Sequence, residues 1–451
     1  MADSLLGQAS DLLTDCIVAV STPQGRGALG VVRLSGGDQQ IEAVLHALRP
    51  GGRRLTPRQL TLCDLHDAGG VFDRALVAHF PGPHSYTGEH VLELHLHGNP
   101  VLLSQAVAAC MAAGARPAEP GEFTRRALAH GKLSVVEAEG VDALIRAPSA
   151  AAARAAQRHL GGELDDRLRG WVTRLLSSAV ALEALVDFPD EVDASEVRGE
   201  VDALVQLASE LAELLGTVRA GRMLLDGVRV VLTGPVNAGK STLLNALLGH
   251  DRAIVSSVPG TTRDVVSETV EWAGVAYRLE DTAGLRATDD EVEAIGIARS
   301  SAAIARADVV VAVGDGRGDI DGSAAGEAAH VLVATHADLL GTPRRSGLQD
   351  RGFLLVDGLS GQGVEAVREA VITASGLQAS AGQLVLHTAR QHAAMEAALG
   401  AVAEAAAVGI AEPVLAAVAV RRAGRALEEL SGRWVDERVL DELFARFCIG
   451  K

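Results

Sequence analysis

Three patterns of apolar and polar positions follow one another along the chain and predict three kinds of structure. From Asp15 to about Ala129, short apolar runs alternate with Gly/Pro turns, which indicates an α+β domain. From about Val135 to Arg222, apolar positions follow helical spacing, with an interruption near Phe188–Pro189. Strands then alternate with helices from Val228 to about Ala374, as in a parallel sheet with crossover helices. Helical spacing returns from about Leu386 to Phe447.

The apolar runs also predict individual elements. In the first region we expect strands at Ile17–Val20, Gly30–Leu34, Ala75–Phe80 and Val91–Leu96 and a helix near Leu102–Ala113. In the α/β region the predicted strands are Val228–Thr233, Val275–Glu280, Asp308–Val313, Val331–Thr335 and Phe353–Val356. Because helical segments flank the α/β region on both sides, we expect it to be inserted into one helical bundle. The predicted domains are 1–130, 131–222, 223–381 and 382–451, of which the second and fourth form one discontinuous helical domain.

The composition excludes several classes of protein. At 451 residues, with 48% hydrophobic and 22% charged residues, the chain is typical of a folded protein of two to three domains. No apolar run approaches the roughly 20 residues of a membrane span, and residues 1–15 do not have the pattern of a signal peptide. The four cysteines lie far apart, which argues against a zinc site and fits a reducing cytosol. The net charge of −17 indicates that any RNA substrate is held mainly by a basic partner.

Lysine is rare in this chain. Among 41 basic residues, lysine occurs only at Lys132, Lys240 and Lys451. Arginine therefore serves wherever a generic positive charge is adequate, and a retained lysine indicates a position that needs a compact ammonium group. The motif around Lys240 supports this interpretation; for the other two lysines, survival by chance stays an alternative.

The segment Gly234–Ser241 (GPVNAGKS) matches the P-loop pattern G-x-x-x-x-G-K-[ST]. It follows a predicted strand and begins the helical run Thr242–Leu248, which is the context that the motif requires. Its glycines allow backbone N–H groups to converge on phosphate oxygens at a helix N-terminus, where the dipole favours anions. We expect Lys240 to bind the β- and γ-phosphates and the Ser241 hydroxyl to ligate Mg²⁺.

Two further motifs follow in the order typical of a GTPase. Asp281–Gly284 (DTAG) comes directly after a predicted strand, so that Asp281 can reach Mg²⁺ through water and the Gly284 N–H can contact the γ-phosphate. Between the P-loop and this motif, Gly260–Asp264 (GTTRD) offers Thr262 as a second Mg²⁺ ligand on a loop that can order around the triphosphate.

The base-reading loops depart from the usual GTPase pattern. The sequence Thr335–Asp338 (THAD) stands where GTPases usually have Asn-Lys-x-Asp. Asp338 keeps the carboxylate that accepts from two guanine N–H groups, whereas Thr335 loses an amide contact and His336 replaces the stem that covers the base. The next loop, Asp357–Leu359, reads DGL instead of Ser-Ala-x. We expect GTP rather than ATP, with reduced affinity and relaxed discrimination.

The residue that positions the attacking water is not evident from these motifs. Leu285 follows the DTAG motif, where Ras-like enzymes have a glutamine. Asn237 in the P-loop and the acidic run Asp289–Glu293 are the nearest candidates. A solvated helix start is the alternative interpretation of the acidic run.

Further segments outside the GTPase motifs complete a recognisable pattern: Ala19–Gly36, Ser85–Glu93, Pro120–Arg126, Gly131–Leu133, Asp187–Asp190 and Phe447–Lys451 (FCIGK). With them, the chain resembles the MnmE (TrmE) family of tRNA modification GTPases over essentially its whole length. The resemblance implies an N-terminal α+β folate-binding and dimerisation domain, a discontinuous helical domain, and an inserted Ras-like P-loop G domain. It further implies a cytoplasmic homodimer that acts with the flavoprotein MnmG on carbon 5 of the wobble uridine of certain tRNAs. No association with a membrane is expected. The added group is of the aminomethyl type.

The resemblance also implies a folate site and a GTP site. The one-carbon unit comes from 5,10-methylene- or 5-formyl-tetrahydrofolate, bound by Arg33, Glu93, Lys132 and Lys451. Two of the three lysines thus fall on the folate site. The expected GTP-binding residues are Asn237, Ala238, Gly239, Lys240, Ser241, Thr242, Ser256, Ser257, Val258, Pro259, Gly260, Thr261, Thr262, Asp281, Thr282, Ala283, Gly284, Thr335, Asp338, Asp357, Gly358 and Leu359.

The resemblance also supplies a catalytic arrangement for hydrolysis. It is to potassium-activated GTPases, in which K⁺ stands where an arginine finger would, with Mg²⁺ on Ser241 and Thr262. The implied K⁺ ligands are Asn237, Ser256, Val258 and Thr261, and Ser256 is a mild departure from the usual Thr. Glu293 matches the glutamate that positions water, and the catalytic residues for hydrolysis are Glu293, Lys240 and Asn237. Cys448 is a further catalytic candidate, for the tRNA modification.

Cys448 has two interpretations. Beside a folate it is a candidate nucleophile that attacks uridine carbon 6, and otherwise it is a small buried residue behind Phe444 and Phe447.

Two rival functions stay open at this point. A ribosome-assembly GTPase of the Era or Der type accounts for the G domain but leaves the first 130 residues and the C-terminal motif unexplained. A folate-dependent transferase with a degenerate G domain fits the altered base loops but not the intact Lys240, Ser241, Thr262 and Asp281.

Overall fold

The computed structural model describes residues 15–188, 190–249, 267–281, 301–318, 320, 329–377, 382–432 and 437–450. The chain divides into two compact units. Unit 1 consists of Met1–Asp142 with Glu428–Lys451, and unit 2 is Ala143–Leu427. The N-terminal and C-terminal ends of the chain therefore belong to the same unit. The predicted domain boundaries stay a prediction.

Unit 1 is an α+β fold around a six-stranded sheet. The strand order is β3-β4-β5-β2-β1-β6, antiparallel except for the pairing of β1 with β6. One face of the sheet is buried because alternate side chains on its strands, such as Leu92, Leu94 and Leu96, enter one apolar core. The strands are β1 Ile17–Val20, β2 Leu29–Gly36, β3 Thr61–Asp67, β4 Gly70–Phe80, β5 His90–His97 and β6 Arg116–Pro117.

The helices of unit 1 are α1 Asp38–Leu48, α2 Pro100–Ala112, α3 Glu122–Ala129, α4 Val135–Arg146, which continues into unit 2, and α14 Glu437–Phe444. Helix α1 buries one face, from Ile41 to Leu48, against the sheet core. Helix α2 begins where the Asn99 side chain accepts from the Val101 N–H, and Pro100 occupies its first turn. The Asn99 cap and Pro100 therefore define the start of α2.

A buried ionic network ties α3 to the sheet. The Arg126 side chain is 2% exposed and binds Glu89, Asp15 and Glu122 at 3.0, 2.6 and 2.9 Å. Burial alone would raise the pKa of Glu122, but hydrogen bonds from Arg116, the Glu119 N–H and Arg126 outweigh it and hold this pKa below its ordinary value. The network therefore requires a guanidinium at position 126.

Unit 2 contains an α/β fold with a second six-stranded sheet. The strand order is β12-β11-β10-β7-β9-β8, and every pairing is parallel except β8 with β9. The strands are β7 Val228–Thr233, β8 Ser267–Trp272, β9 Val275–Asp281, β10 Val309–Asp315, β11 Val331–Thr335 and β12 Phe353–Leu355. Helices α9 Lys240–Leu248, α10 Thr342–Asp350 and α11 Val364–Ser375 connect strands or follow the sheet.

Long helices precede and follow the α/β fold within unit 2. They are α5 Ala150–Leu160, α6 Glu163–Asp187, α7 Ala194–Leu215, α8 Val218–Asp226, α12 Ala389–Val408 and α13 Pro413–Ser431, of which α13 continues into unit 1. Helix α12 packs against α7 although the α/β fold separates them in sequence. This contact supports the prediction that the two helical segments pack together around an insertion.

One of these helices has a composition that a membrane span would also show. Among the described residues, the segment Ala389–Ala411 is long and apolar enough to cross a membrane, by length and composition only. Met395, Ala398 and Val402 of this segment are buried. In the most apolar stretch of this segment, 33% is buried inside the fold.

The predicted strands are confirmed, with small shifts at their ends. Val228–Thr233 and Val331–Thr335 have the predicted bounds, whereas β2 and β4 are longer than their apolar runs. The sequence interpretation missed β3, where only Cys63 and Leu65 are buried and the alternation is weak. It also missed α1 and β8, each a short amphipathic segment beside a turn.

The ionic network generates a stability prediction. We expect Arg126→Met to lower the free energy of unfolding of unit 1 by about 3–5 kcal/mol, because it leaves the buried carboxylate of Glu89 with the Ser35 hydroxyl but without a cation, whereas Glu122 keeps Arg116. Chemical denaturation of the full chain, followed by circular dichroism, measures the change.

The matched control is the neighbouring arginine. The Arg125 side chain is 29% exposed and pairs with the exposed carboxylate of Asp441 at 2.9 Å. Arg125→Met is expected to cost about 0–1 kcal/mol. Equal losses in the two variants would show that the buried network contributes no more than a surface pair.

Burial also predicts which thiols react. Burial raises the pKa of Cys16 and of Cys110 to about 12, and it raises the pKa of Cys63, whereas the Cys448 side chain is exposed. Because the thiolate is the reactive form, we expect Ellman's reagent at pH 8 to modify Cys448 alone in the folded protein. Cys448→Ser should abolish this reaction, and denaturant should release all remaining thiols. Rapid modification of Cys16 in the folded chain would contradict the structure.

Candidate nucleotide and folate sites

The P-loop lies at the carboxyl end of β7 and leads into α9. Lys240 begins α9 and is 5% exposed, and its Nζ donates to the carbonyl oxygens of Gly234 and Pro235 at 2.9 and 2.7 Å. These two bonds hold the ammonium group inside the curve of the loop. A point charge at a helix N-terminus is suited to bind the phosphates of a nucleotide.

The P-loop backbone requires positive φ at three positions. They are Gly234 at 145°, Asn237 at 60° and Gly239 at 86°. At Gly234 a Cβ atom would lie 2.0 Å from the Val313 carbonyl oxygen, so that no other residue fits there. Asn is among the few residues that tolerate the left-handed conformation, which agrees with its presence at 237.

The predicted magnesium-binding residues that the structure describes lie together. The Ser241 hydroxyl donates to Asp281 Oδ2 at 2.8 Å, although 40 residues separate them in sequence. Parallel strands β7 and β9 bring them to one edge of the sheet. A hydroxyl beside a carboxylate supplies the hard oxygen ligands that Mg²⁺ prefers, so these residues fit the ion.

Both base-reading loops are at the same edge of the sheet. Thr335 ends β11, and His336 has a left-handed backbone (φ 55°). The exposed Asp338 lies in a short 3₁₀ helix, Ala337–Leu339. The Ala337 N–H donates to the Val356 carbonyl at 3.1 Å, which joins the first loop to the second. Nucleotides bind at this carboxyl edge in open α/β sheets.

Two carboxylates beside His336 have lowered pKa values. A hydrogen bond from Arg317 is the main cause that lowers the pKa of Asp315 to about 2, and the charge of His336 lowers it further. Hydrogen bonds from Ser360 and the Leu359 N–H, with a smaller effect of His336, hold the pKa of Asp357 below its ordinary value. Both carboxylates are therefore ionised at neutral pH, and that of Asp315 is paired with Arg317.

Part of the predicted nucleotide site lies outside the described residues. The structure places Asn237, Ala238, Gly239, Lys240, Ser241, Thr242, Asp281, Thr335, Asp338, Asp357, Gly358 and Leu359 at one edge of the second sheet. The predicted residues Ser256, Ser257, Val258, Pro259, Gly260, Thr261, Thr262, Thr282, Ala283, Gly284 and Glu293 lie outside the described ranges, and so does Lys451.

In unit 1 the structure pairs two predicted folate-binding residues. Arg33 on β2 faces Glu93 on β5, with Nη2 2.8 Å and Nε 3.0 Å from Glu93 Oε1. The Arg33 guanidinium lies 5.8 Å from the ring centre of Tyr86 and 6.0 Å from that of Phe123. The partly exposed Tyr86 ring beside an arginine–carboxylate pair suits a planar heterocycle with polar edges, whereas the Phe123 ring is buried behind it, so Arg33, Glu93 and Tyr86 fit a pterin. The sequence interpretation did not assign Tyr86 or Phe123, although both lie in its quoted segments.

The C-terminal segment lies beside the first strand of unit 1. The Ser21 hydroxyl donates to the Gly450 carbonyl at 3.1 Å, and Pro120 forms a β-bridge with Ile449. Cys448 is exposed, so its interpretation as a small buried residue is wrong. The exposed Lys132 follows α3, and its N–H donates to the Ala127 carbonyl at 2.8 Å. The C-terminal motif is thus held against the N-terminal sheet.

Comparison with known proteins tests the resemblance to a family. Residues 16–132 match the family model "GTP-binding protein TrmE N-terminus", and residues 135–448 match "MnmE helical domain". The tRNA modification GTPase MnmE of Azoarcus sp. (strain BH72) is 41% identical, with 97% of this chain and 98% of that protein covered. The MnmE of Laribacter hongkongensis is also 41% identical, with 97% and 99% covered.

Among solved structures, the G domain of the T. maritima FeoB iron transporter is 24% identical. The match covers 33% of this chain and 98% of that domain with a TM-score of 0.24, and no conclusion about fold or function is based on it. The full-length identity and the two family models, one of which spans more than half of the sequence, show that this chain belongs to the MnmE family of tRNA modification GTPases.

Proposed function

We propose that this protein is a potassium-activated GTPase that, with the flavoprotein MnmG, modifies carbon 5 of the wobble uridine of certain tRNAs. The carboxymethylaminomethyl or aminomethyl-type group takes its one-carbon unit from a tetrahydrofolate. The observation that carries the proposal is that one chain holds both a P-loop with a buried lysine and an Arg33–Glu93 pair beside its C-terminal segment. A GTPase switch of the Era or Der type accounts only for the first of these.

The P-loop geometry supports the binding of a nucleoside triphosphate with Mg²⁺. Backbone N–H groups at the start of α9, together with Lys240, would bind the β- and γ-phosphates. Ser241 would ligate Mg²⁺ directly and Asp281 through water, while Thr262 completes the proposed pair of protein ligands. Asp338, being exposed, can accept from the two N–H groups of guanine.

The proposed potassium site includes Asn237. This residue has a left-handed backbone in the P-loop, where its amide oxygen can serve as a K⁺ ligand together with Ser256, Val258 and Thr261. A cation there supplies positive charge to the transferring phosphoryl group. Glu293 is proposed to orient the attacking water, and two G domains would dimerise across their nucleotide faces.

Unit 1 supports the folate part of the proposal. Arg33 and Glu93 would bind the polar edge of the pterin, and Lys132 and Lys451 would bind the carboxylates of the folate tail. The tetrahydrofolate would supply the one-carbon unit of the added group. The exposed Cys448 is a candidate nucleophile for uridine carbon 6.

The proposal includes partners and a location. Three exposed leucines, Leu29, Leu62 and Leu76 (63%, 55% and 36% exposed), lie on the face of the first sheet that carries Arg33, with His95 and His97 of β5 between them. These exposed apolar side chains support a homodimer formed through unit 1. The net charge of −17 favours a complex in which MnmG holds most of the tRNA. The free cysteines fit a cytoplasmic location.

Nucleoside analysis of tRNA tests the proposed function. A deletion strain lacks the modified wobble uridine, and we expect the wild-type gene to restore it. Lys240→Ala, which removes the phosphate-binding ammonium, and Lys132→Ala, which removes a folate contact, should each fail to restore it. Restoration by Lys132→Ala at wild-type level would argue against the folate site, and restoration by Lys240→Ala against a role of GTP.

Hydrolysis in different salts tests the cation. We expect purified protein to hydrolyse GTP at least about tenfold faster in K⁺ than in Na⁺ at equal ionic strength, because K⁺ replaces an arginine finger. Asn237→Ala should remove the difference between the salts, whereas Lys132→Ala should leave it unchanged. Equal rates of the wild type in both salts would rule out potassium activation.

A further inference from the structure

One loop of unit 1 is strongly basic, although the chain as a whole has a net charge of −17. Between Glu42 and Asp64 the sequence contains no acidic residue. The loop that connects the end of α1 to the start of β3 carries four arginines: Arg49, Arg53, Arg54 and Arg58. We call residues 49–58 the arginine loop. Its positive charge is a local exception in this chain and attracts anions.

Two of these arginines are held by carbonyl oxygens. The Arg49 Nη2 donates to the Arg53 carbonyl at 3.2 Å, and the Arg58 Nη2 donates to the His84 carbonyl. The Arg58 N–H also donates to the His79 carbonyl at 2.8 Å, which fixes the loop against the end of β4. A carbonyl oxygen orients a guanidinium but does not neutralise its charge, so the group still attracts an anion.

The other two arginines extend into solvent. Arg53 is exposed, and the Arg54 side chain is 84% exposed. The Arg54 Nε lies 3.9 Å from Oε1 of Glu42, whose side chain is 44% exposed. Because an exposed pair of this kind contributes little, a phosphate can replace the carboxylate. Arginine binds phosphate oxygens through two parallel N–H groups, which makes the phosphate backbone of a nucleic acid a suitable partner.

The arginine loop borders the predicted folate region. His84, whose carbonyl accepts from Arg58, lies two residues before Tyr86 in the segment that connects β4 to β5. The Tyr86 ring centre lies 5.8 Å from the Arg33 guanidinium, which pairs with Glu93. An RNA backbone on the arginine loop would therefore pass close to the residues that are proposed to bind the one-carbon donor.

We propose that the arginine loop binds the phosphate backbone of the tRNA anticodon arm and thereby holds the wobble uridine near the folate site. Arg53 and Arg54 contact phosphates directly, while Arg49 and Arg58 add charge and hold the loop in place. Such contacts position the RNA without reading its sequence. This inference rests on the proposed function and deepens it: the chain itself, and not only MnmG, positions the substrate.

Binding of an anticodon stem-loop RNA to the full chain tests the proposal, by fluorescence anisotropy over a range of KCl concentrations. The double variant Arg53→Gln/Arg54→Gln removes two charges and leaves the side chains of Arg49 and Arg58 in place. At physiological salt we expect its Kd to rise about tenfold, and the slope of log Kd against log [KCl] to fall by about 1.4–1.8, as for the loss of two phosphate contacts.

A second pair of exposed arginines provides the matched control. The side chains of Arg167 and Arg169 on α6 are 51% and 62% exposed. Arg167→Gln/Arg169→Gln changes the net charge equally and should keep the Kd within about twofold of wild type, because distant exposed charges are screened. Equal losses in the two double variants would show a general effect of charge and would overturn the proposal. Arg53→Lys/Arg54→Lys retains the charge and should keep the salt slope of the wild type.

Reconstituted modification with MnmG, tRNA, GTP and tetrahydrofolate supplies a second readout. We expect Arg53→Gln/Arg54→Gln to raise the KM for tRNA at least about threefold, because it removes binding energy for the substrate. The rate of GTP hydrolysis without tRNA and the Kd for tetrahydrofolate should stay those of the wild type, since neither arginine belongs to the nucleotide site or the folate site.

The outcomes distinguish this inference from the proposed function. If the wild type with MnmG does not modify tRNA, the proposed function is wrong. If it does, and Arg53→Gln/Arg54→Gln has the Kd, salt slope and KM of the wild type, only the role of the arginine loop is overturned. A wild-type chain that binds no stem-loop RNA would overturn that role as well. So would a double variant that binds RNA normally but no longer binds MnmG or vesicles of anionic lipid.

Discussion

The nucleotide site depends on one steric constraint, the close approach of the P-loop backbone to the strand beside it. Strands β7 and β10 pair in parallel, and the carbonyl of Val313 leaves no room for a side chain at Gly234. The chain must therefore turn at the end of β7 with a positive φ. That turn directs the following N–H groups and Lys240 to one point at the start of α9. Without this turn, the lysine would have no defined position relative to the other strand ends.

The same edge of the sheet collects the remaining nucleotide chemistry. Asp281 ends β9 beside Ser241, and Asp338 and Asp357 follow β11 and β12. The carboxylates are suited to different purposes: Asp281 to a metal ion and Asp338 to the base. The carboxylate of Asp357 instead accepts a hydrogen bond from the Leu359 N–H within its own turn. A parallel sheet allows this division because each strand delivers its following loop to the same edge.

In unit 1 the predicted folate-binding residues are arranged differently. Arg33 and Glu93 lie on the face of an antiparallel sheet, where they are cross-strand neighbours. The C-terminal segment completes this region by hydrogen bonding to Ser21. Residues from both ends of the chain therefore meet within unit 1.

The sequence by itself determined the features that depend on neighbouring residues. The P-loop follows from eight consecutive residues between a buried strand and a helix, and the strands Val228–Thr233 and Val331–Thr335 follow from their apolar runs. The tertiary structure decided which distant side chains meet. From the sequence, we expect Thr335 to lose the contact that an Asn amide makes in other GTPases. In the fold, its hydroxyl donates a hydrogen bond to the carbonyl of Ala238, 97 residues away. Likewise the exposure of Cys448 depends on how the last residues pack, because burial is a property of the assembled chain and not of local sequence.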